Sequence, residues 1–260
     1  MSDFAITFLG TGTSVGVPMV GCDCETCTSE DPRDNRMRSS IYVETPDVRI
    51  LVDTGPDLRM QCLREKISHV DAVIFTHAHM DHVVGFDDLR RFSVGADATL
   101  DIYALPETMA DIQRMFAFAF NGENRYPGYI KPEPHLIEGA FELGDLRITP
   151  LPVQHGKVPT IGFLFEREGR KIAAYAADCK TFSEAALEAM AGVETLIIDA
   201  LRHTPHVTHM NFEEALAVVD RIKPQQTWFT HIADEILHSR EDPLLPDGVR
   251  IAYDGLKLKL

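Results

Sequence analysis

Short apolar runs separated by Gly- and Pro-rich turns dominate the first third of the chain, and this pattern predicts β-strands rather than helices. Three such runs, residues 4–9, 40–44 and 48–52, follow one another, and Pro46 with Asp47 suits a tight turn between the last two. Beyond residue 57, apolar strands alternate with segments of helical spacing. The predicted helices are 57–66, 106–118, 183–191 and one that begins at Asn211, and the predicted strands are 71–76, 100–105, 146–153, 161–166, 171–177, 195–199 and one that ends at Thr230.

This order of elements predicts an α+β protein in which two mixed sheets pack face to face, with helices on the outer faces, as an αββα sandwich. We expect a single domain over residues 1–260, because no linker, repeat or low-complexity stretch interrupts the pattern. Residues 249–253 and 257–260 are expected to form a closing hairpin. Residues 120–134, which contain several prolines and glycines, are expected to form an ordered surface loop.

The composition narrows the class of protein further. The 260 residues carry 40 acidic and 25 basic side chains, a formal net charge of −15. This charge disfavours binding of long nucleic acid over the whole surface, but it is compatible with a local site for a small anionic substrate. No apolar run approaches the ~20 residues of a membrane span, and the amino terminus lacks the basic start of a signal peptide. Since the five cysteines do not resemble a disulfide framework, we expect a cytoplasmic globular protein.

The motif HAHMDH, residues 77–82, carries the strongest chemical signal, because it places four metal-binding side chains at the end of the predicted buried strand 71–76. Alternate residues of an extended chain point the same way, so His77 and His79 can converge on one ion. Asp81 and His82 come just beyond, where the chain turns, and can reach a second ion beside the first.

Three later residues complete a candidate set, since His155, Asp178 and His231 each follow a predicted strand. Neutral imidazoles, a terminal carboxylate and a carboxylate able to bridge are the groups that a two-metal hydrolytic site needs. Such a bridge holds two divalent ions ~3.5–4 Å apart, and the hydroxide between them is a nucleophile at neutral pH. The residues therefore indicate metal-dependent hydrolysis.

With HxHxDH after a buried strand and a later His, Asp and His after strands of their own, the chain resembles the metallo-β-lactamase superfamily. The resemblance extends over nearly the whole chain and includes the turns at residues 10–14 and 53–55. It implies the metallo-β-lactamase αββα sandwich and two divalent ions, for which Mn²⁺, Zn²⁺ and iron are all suitable. The implied ligands are His77, His79 and His155 for the first ion, Asp81, His82 and His231 for the second, and Asp178 as the bridge.

Within the superfamily, the motifs GVPxxGCxCxxC, HxHxDH and TPHVTHMNF are most similar to those of PhnP-like phosphodiesterases. The resemblance implies hydrolysis of phosphodiester bonds, in small cyclic phosphodiesters or nucleotides, by a hydroxide that bridges the metals. It also implies that His209 contacts the scissile phosphate and protonates the leaving oxygen, and that Asp81 helps to orient the nucleophile. His203 and His206 are rivals for the acid role. Pro205 breaks the segment that carries these two rivals, and the match to the family motif favours His209.

The long loop of residues 10–39 contains a cluster of three thiols, Cys22, Cys24 and Cys27. Clustered thiols of this kind predict a structural zinc, with a redox-sensitive thiol loop as the alternative. PhnP-like relatives complete such a site with a His three residues after the last metal-binding His, and Asp234 stands at that position here. The fourth ligand is therefore either Asp234 or His238.

Other residues have weaker signals. Asp53 is expected to brace the metal-binding loops through hydrogen bonds, and Cys62 and Cys179 are expected to be buried without a chemical role. Two sets of residues each have two interpretations. Substrate phosphate could be neutralised by Arg59, Arg90 and Arg91, or these arginines are ordinary surface residues. A substrate lid could include Arg125, Tyr126 and Tyr129, or their loop only covers the edge of the sheet.

Three functions compete with the phosphodiesterase. A tRNA 3′-end endonuclease shares all seven ligands but normally carries a protruding basic, Gly-rich arm, and no such insertion is visible. A thioester hydrolase shares the ligand set but usually has a helical domain where only residues 232–260 remain here. The third alternative is a metal-binding module without turnover. The expected partner is a small anionic phosphodiester, with neither a membrane nor long nucleic acid, and the resemblance also suggests a homodimer.

Overall fold

The computed structural model describes residues 4–94, 98–122 and 128–260. Its strands are β1 (Ala5–Gly10), β2 (Ser40–Glu44), β3 (Arg49–Val52), β4 (Ala72–Ile74), β5 (Leu100–Ala104), β6 (Pro132–Leu136), β7 (Phe141–Leu143), β8 (Leu146–His155), β9 (Val158–Arg167), β10 (Arg170–Ala176), β11 (Thr181–Phe182), β12 (Thr195–Asp199), β13 (Gln226–Thr230), β14 (Val249–Ile251) and β15 (Lys257–Lys259). Its α-helices are α1 (Leu58–Glu65), α2 (Met80–Val83), α3 (Pro106–Met115), α4 (Ala117–Phe120), α5 (Glu184–Met190), α6 (Phe212–Ile222) and α7 (His238–Glu241), and its 3-10 helices are Pro32–Asp34, Val84–Phe92 and Asp242–Leu244.

The strands form two mixed sheets. The first has the order β15-β1-β2-β3-β4-β5-β6, antiparallel as far as β3 and parallel from there on. The second has the order β11-β8-β9-β10-β12-β13-β14, with β7 also paired to β8, and it changes from antiparallel to parallel after β10. The antiparallel parts come from consecutive hairpins, whereas the parallel parts need crossovers that carry helices.

Three apolar clusters define the layers of the fold. Side chains such as Phe8, Ile50 and Phe163 fill the space between the two sheets. The outer face of the first sheet packs against α1 and α3, and the outer face of the second packs against α5 and α6, where Leu187 and Phe212 contribute. Because successive strand residues point to opposite faces, each fully apolar strand can serve an inner and an outer cluster at once. The αββα arrangement predicted from the order of elements is confirmed.

The helices begin where the sequence supplies caps. Asn211 and Glu214 form a reciprocal capping box at the start of α6, and the Ser183 side chain accepts a hydrogen bond from the Ala186 N–H at the start of α5. The longest α-helix, α6, has 11 residues. Among the described residues, no helix combines the length and the apolar character needed to cross a membrane.

The predicted closing hairpin is wrong. Strand β14 pairs in parallel with β13 in the second sheet, whereas β15 pairs antiparallel with β1 in the first. The carboxyl-terminal segment therefore closes one edge of each sheet, where unpaired backbone groups would otherwise be exposed.

The loop predicted over residues 120–134 is wrong in part. Its last residues belong to β6, which pairs in parallel with β5 at the edge of the first sheet. Pro132 and Pro134 suit an edge strand, because proline cannot donate a hydrogen bond to a second neighbour. Of the residues considered for a lid, Arg125 and Tyr126 lie outside the described residues. Tyr129 contacts the Phe118 ring, with centroids 5.0 Å apart.

Candidate metal centre

The residues of the candidate dinuclear site meet where strands from both sheets end. His77 and its neighbours follow β4 of the first sheet, whereas His155, Asp178 and His231 stand at or just after the ends of β8, β10 and β13 in the second. The carboxyl ends of parallel strands lie at one edge of a sheet, and the two packed sheets bring their edges together. The structure therefore gathers all seven predicted ligands in one place.

The first predicted ion site is a group of three imidazoles. The Nε2 atom of His77 lies 2.9 Å from Nδ1 of His79, and the Nε2 atom of His155 lies 3.3 Å from that same nitrogen. These three residues can each offer one ring nitrogen within 4.8 Å of the others. Neutral imidazoles arranged in this way suit a divalent transition-metal ion.

The second predicted ion site lies directly beside the first. The His82 Nε2 atom is 3.3 Å from Oδ2 of Asp81 and 2.9 Å from Oδ2 of Asp178. The other Asp178 oxygen, Oδ1, is 3.4 Å from Nε2 of His231 and 3.7 Å from Nε2 of His155. The carboxylate of Asp178 thus stands between the two groups, where the resemblance implies a bridge.

The buried polar atoms of this centre fit a pair of cations. His82 Nε2, Asp178 Oδ2 and His231 Nε2 are all buried, and within the described residues none makes a hydrogen bond of acceptable geometry. Unpaired buried polar atoms are costly, and close approaches without hydrogen-bond geometry are typical of ligands that share an ion. The mixed nitrogen and oxygen donors suit Zn²⁺, Mn²⁺ or Fe²⁺. The residues present therefore fit the metals that the motif predicts.

Asp53 has the bracing position expected of it. Its Oδ2 lies 2.8 Å from His82 Nδ1, which directs the opposite ring nitrogen of His82 into the centre. The same carboxylate accepts hydrogen bonds from the Thr76 N–H and hydroxyl. Asp53 and His231 both have positive φ angles, 63° and 59°. Non-glycine residues adopt this conformation at a cost, and such strain clusters at functional sites.

His209 lies against the centre and is held by a carboxylate that the sequence analysis missed. Its Nδ1 is 2.7 Å from Oδ2 of Asp199, and its ring stacks on His231 with centroids 4.6 Å apart. Burial raises the pKa of Asp199, as does the nearby charge of Asp178. Burial also lowers the pKa of His209, against the effect of Asp178. The available signal was that Asp199 ends the apolar strand β12, just as the candidate ligands follow strands of their own.

The two rival histidines lie further out. His203 is exposed, and its Nε2 is 2.9 Å from Glu241. His206 is half-buried, and its Nδ1 accepts a hydrogen bond from the Thr208 N–H at 3.3 Å. Its ring centroid is 5.1 Å from that of His209. Only His209 combines burial with direct ring contacts to His155 and His231.

The cysteine cluster forms a second, smaller group. Oδ2 of Asp234 lies 3.5 Å from Sγ of Cys22 and 3.6 Å from Sγ of Cys24, and Cys27 completes a set whose ligand atoms lie within 4.8 Å of one another. His238 instead places Nδ1 at 3.1 Å from the guanidinium of the buried Arg36. The structure therefore brings Asp234, and not His238, to the three thiols, in a set that fits one tetrahedral zinc ion.

The remaining candidates lie away from both groups. Arg59 and Arg91 line a cavity of about 440 Å³ on the outer side of the first sheet, together with Cys62, which is only partly buried. Arg90 pairs with Asp87 on its own 3-10 helix. Cys179 is buried, as expected.

Comparison with known proteins identifies the family. Residues 48–232 match the model of the β-lactamase superfamily domain. Over the whole length, a crystal structure described as a new diphosphatase from the PhnP family has 36% identity and a TM-score of 0.90, covering 99% of this chain and 98% of that one. Zinc-bound PqqB from Methylobacterium extorquens shares the fold at 22% identity, with a TM-score of 0.79 and coverage of 98% and 100%.

Curated relatives carry diverse names. An octanoyltransferase of Porphyromonas gingivalis is 34% identical over 96% of this chain, and a ribonuclease Z of Bradyrhizobium diazoefficiens is 31% identical over 65%. The chain spans about half the length of these two relatives, 50% and 52%.

The chain therefore belongs to the β-lactamase superfamily, with the metallo-β-lactamase sandwich that its motifs predicted. Over its whole length it is similar to the PhnP-family diphosphatase structure.

Proposed function

We propose that this protein hydrolyses phosphodiester bonds of small substrates with the help of two divalent metal ions. The observation that carries the proposal is the Asp199–His209 pair, with Nδ1 and Oδ2 2.7 Å apart, stacked on the candidate ligand His231. A metal site alone serves many hydrolytic reactions. A buried histidine that is oriented by a carboxylate beside that site adds a proton donor for an alkoxide leaving group.

The ligand set assigns roles to the residues of this chain. His77, His79 and His155 would hold one ion and Asp81, His82 and His231 would hold the other, with Asp178 between the two groups. When bound, the ions supply Lewis-acid activation of water and of a phosphoryl oxygen. Asp53 keeps His82 in the tautomer that presents Nε2 to the centre. Asp199 accepts the Nδ1–H of His209 and favours the charged ring, so that Nε2–H can be given to the leaving oxygen.

A diphosphate substrate is a second candidate, favoured by the description of the PhnP-family neighbour as a diphosphatase. Attack on a phosphoric anhydride uses the same ligands. However, a phosphate leaving group depends less on a proton donor than an alkoxide does. Loss of His209 should therefore harm diester cleavage more than diphosphate cleavage.

The test is hydrolysis by protein loaded with Mn²⁺ or Zn²⁺, using bis-p-nitrophenyl phosphate, methyl p-nitrophenyl phosphate, an alkyl phosphodiester, ADP, a phosphomonoester and an acyl thioester. We expect turnover of the diesters, and His209→Ala should lower kcat for the alkyl diester about 10²–10³-fold while metal content is retained. The exposed His203→Ala is the matched control and should act like the parent.

Preference for the thioester would instead support acyl chemistry, for which an octanoyltransferase relative gives a reason to include that substrate. Cleavage of precursor tRNA in preference to small diesters would support the endonuclease alternative. Metal binding without turnover of any substrate would support the non-catalytic module. Each of these results contradicts the proposal.

A further inference from the structure

A groove of about 510 Å³ adjoins the candidate metal centre and has no role in the chemistry described so far. It runs between the tip of the β8–β9 hairpin and β11. Its lining includes Val153, His155, Lys157 and Phe182. Because His155 belongs both to the groove and to the candidate first ion site, the groove adjoins the centre, and we expect a molecule bound there to extend into it.

The strand register places the aromatic ring of the groove on the same side as the metal ligand. Phe182 of β11 pairs with Val153 of β8. Paired residues of neighbouring strands share a face, and so do residues two apart along one strand. Phe182, Val153 and His155 therefore share one face of this edge of the sheet. Phe182 is half-buried, and it both packs against the outer apolar cluster of the second sheet and lines the groove.

The tip of the hairpin adds a positive charge. Gly156, with φ of 60°, and Lys157 form the two-residue turn between β8 and β9. Within the described residues, the exposed Lys157 amine makes no hydrogen bond or ion pair, although the chain carries a net charge of −15. Most other lysines of the described segments bind a carboxylate or a carbonyl oxygen, as Lys180 binds Glu214.

The turn that carries this lysine is anchored. A Cβ atom on Gly156 would lie 3.2 Å from Cγ2 of Thr208. The neighbouring His155 also uses Nδ1 to contact the carbonyl oxygen of Thr208 at 3.0 Å. Thr208 directly precedes His209. The backbone of this turn is therefore held against the segment that carries the proposed proton donor, and Lys157 extends from it.

We propose that this groove is a specificity subsite for a planar heteroaromatic group of the substrate, which stacks on Phe182, while Lys157 binds a phosphate between that group and the scissile phosphorus. The substrate class is thus a nucleotide-like phosphodiester or diphosphate. The inference rests on the proposed function, which it makes more specific. Stacking on one aromatic side chain is sequence-tolerant and changes affinity by roughly tenfold.

The experiment compares two diesters that share the p-nitrophenolate leaving group, a thymidine 5′-ester and a methyl ester. We expect Phe182→Ala to lower the ratio of kcat/KM for the nucleoside ester over the methyl ester about tenfold. Leu244→Ala is the control, because Leu244 is an exposed leucine outside the groove and the metal centre. It should leave the ratio at the parental value.

A binding measurement that does not depend on turnover accompanies the kinetics. Titration calorimetry should show that Lys157→Gln weakens the binding of thymidine 5′-diphosphate more than that of thymidine 5′-monophosphate. High salt should remove this difference between the two nucleotides. Phe182→Ala should weaken both nucleotides and leave inorganic phosphate binding as in the parent.

The outcomes separate this inference from the function on which it rests. If the parent hydrolyses both diesters and neither variant changes the substrate ratio or nucleotide affinity, the subsite is wrong and the phosphodiesterase stands. If the parent hydrolyses neither diester but binds nucleotides through Phe182, the proposed function is wrong and the subsite stands. If Leu244→Ala shifts the ratio as much as Phe182→Ala, the effect is not local and the subsite is wrong.

Discussion

The two candidate metal groups of this protein are built in opposite ways. The dinuclear centre collects side chains from strand ends in both sheets, buries most of them and braces them with Asp53 and Asp199. The cysteine group takes three ligands from one loop turn and one, Asp234, from a distant segment, and all four are partly exposed. Burial and these bracing hydrogen bonds restrict the side chains of the first arrangement, which suits catalysis. In the second, we expect an ion to tie the loop to the distant segment that carries Asp234.

We expect the largest effect from Asp178→Ala, which removes the central carboxylate of the dinuclear centre. The carboxylate stands between His82, His155 and His231, so its loss removes the proposed bridge between the two ion sites. We expect hydrolysis to fall by about 10³-fold or more. Elemental analysis should show the loss of metal from the dinuclear centre, whereas the zinc that we expect at the cysteine group should be retained. Loss of zinc from both groups would mean that they are not independent.

The next effect concerns orientation without metal loss. Asp199→Asn keeps the shape of the side chain but removes the charge that favours protonated His209. We expect kcat for an alkyl phosphodiester to fall about 10²–10³-fold with unchanged metal content. The exposed Asp220→Asn serves as the control. If Asp199→Asn lowers turnover only in proportion to lost metal, Asp199 is a structural support and not a positioning residue.

Asp234→Ala tests the cysteine group without altering the dinuclear centre. Removing the distant ligand should weaken zinc at the thiols and lower Tm by about 10 °C in zinc-containing buffer, because metal binding contributes directly to the stability of the loop. Turnover per folded molecule should change far less. Asp234→His restores a nitrogen ligand and should recover the Tm. A Tm equal to that of the parent in Asp234→Ala would argue against zinc at this group.

The smallest effect is the pH dependence at His238, which the structure separates from the cysteine group. Burial and the nearby Arg36 guanidinium lower the pKa of His238 to about 4. Below its unfolded value of about 6.5, the unfolded chain binds a proton that the fold excludes, so stability falls as the pH drops towards 4.

The measurement is urea unfolding at about pH 7.5 and about pH 5. Between these two pH values, the free energy of unfolding should fall by roughly 2 kcal/mol less in His238→Asn than in the parent. His69→Asn is the control, since His69 lies on the surface and pairs with Asp71. An equal pH dependence in His238→Asn and the parent would show that His238 is not excluded from protonation.

Much of the fold could be predicted from the chain because its signals are local. Apolar runs bounded by turn residues marked most strands, and caps such as Ser183 and Asn211 marked helix starts. The prediction was wrong where partners are distant. The last two strands look like a hairpin in sequence, yet they pair with β13 and β1 because each sheet offers an open edge. Local pattern predicts a strand but does not determine its neighbour.

By itself, the sequence determined the candidate two-metal set, since the HAHMDH spacing and the histidines and aspartate after later strands predicted this set before any contact was known. Tertiary structure alone decided how that set is supported. Asp199 reaches His209, Asp234 rather than His238 reaches the thiols, and Phe182 shares a face with His155. The physical reason is that the type of metal ligand and the two-residue period of a strand depend on residues that are close together in the sequence. Orienting hydrogen bonds and subsites instead depend on register and packing between segments far apart in sequence.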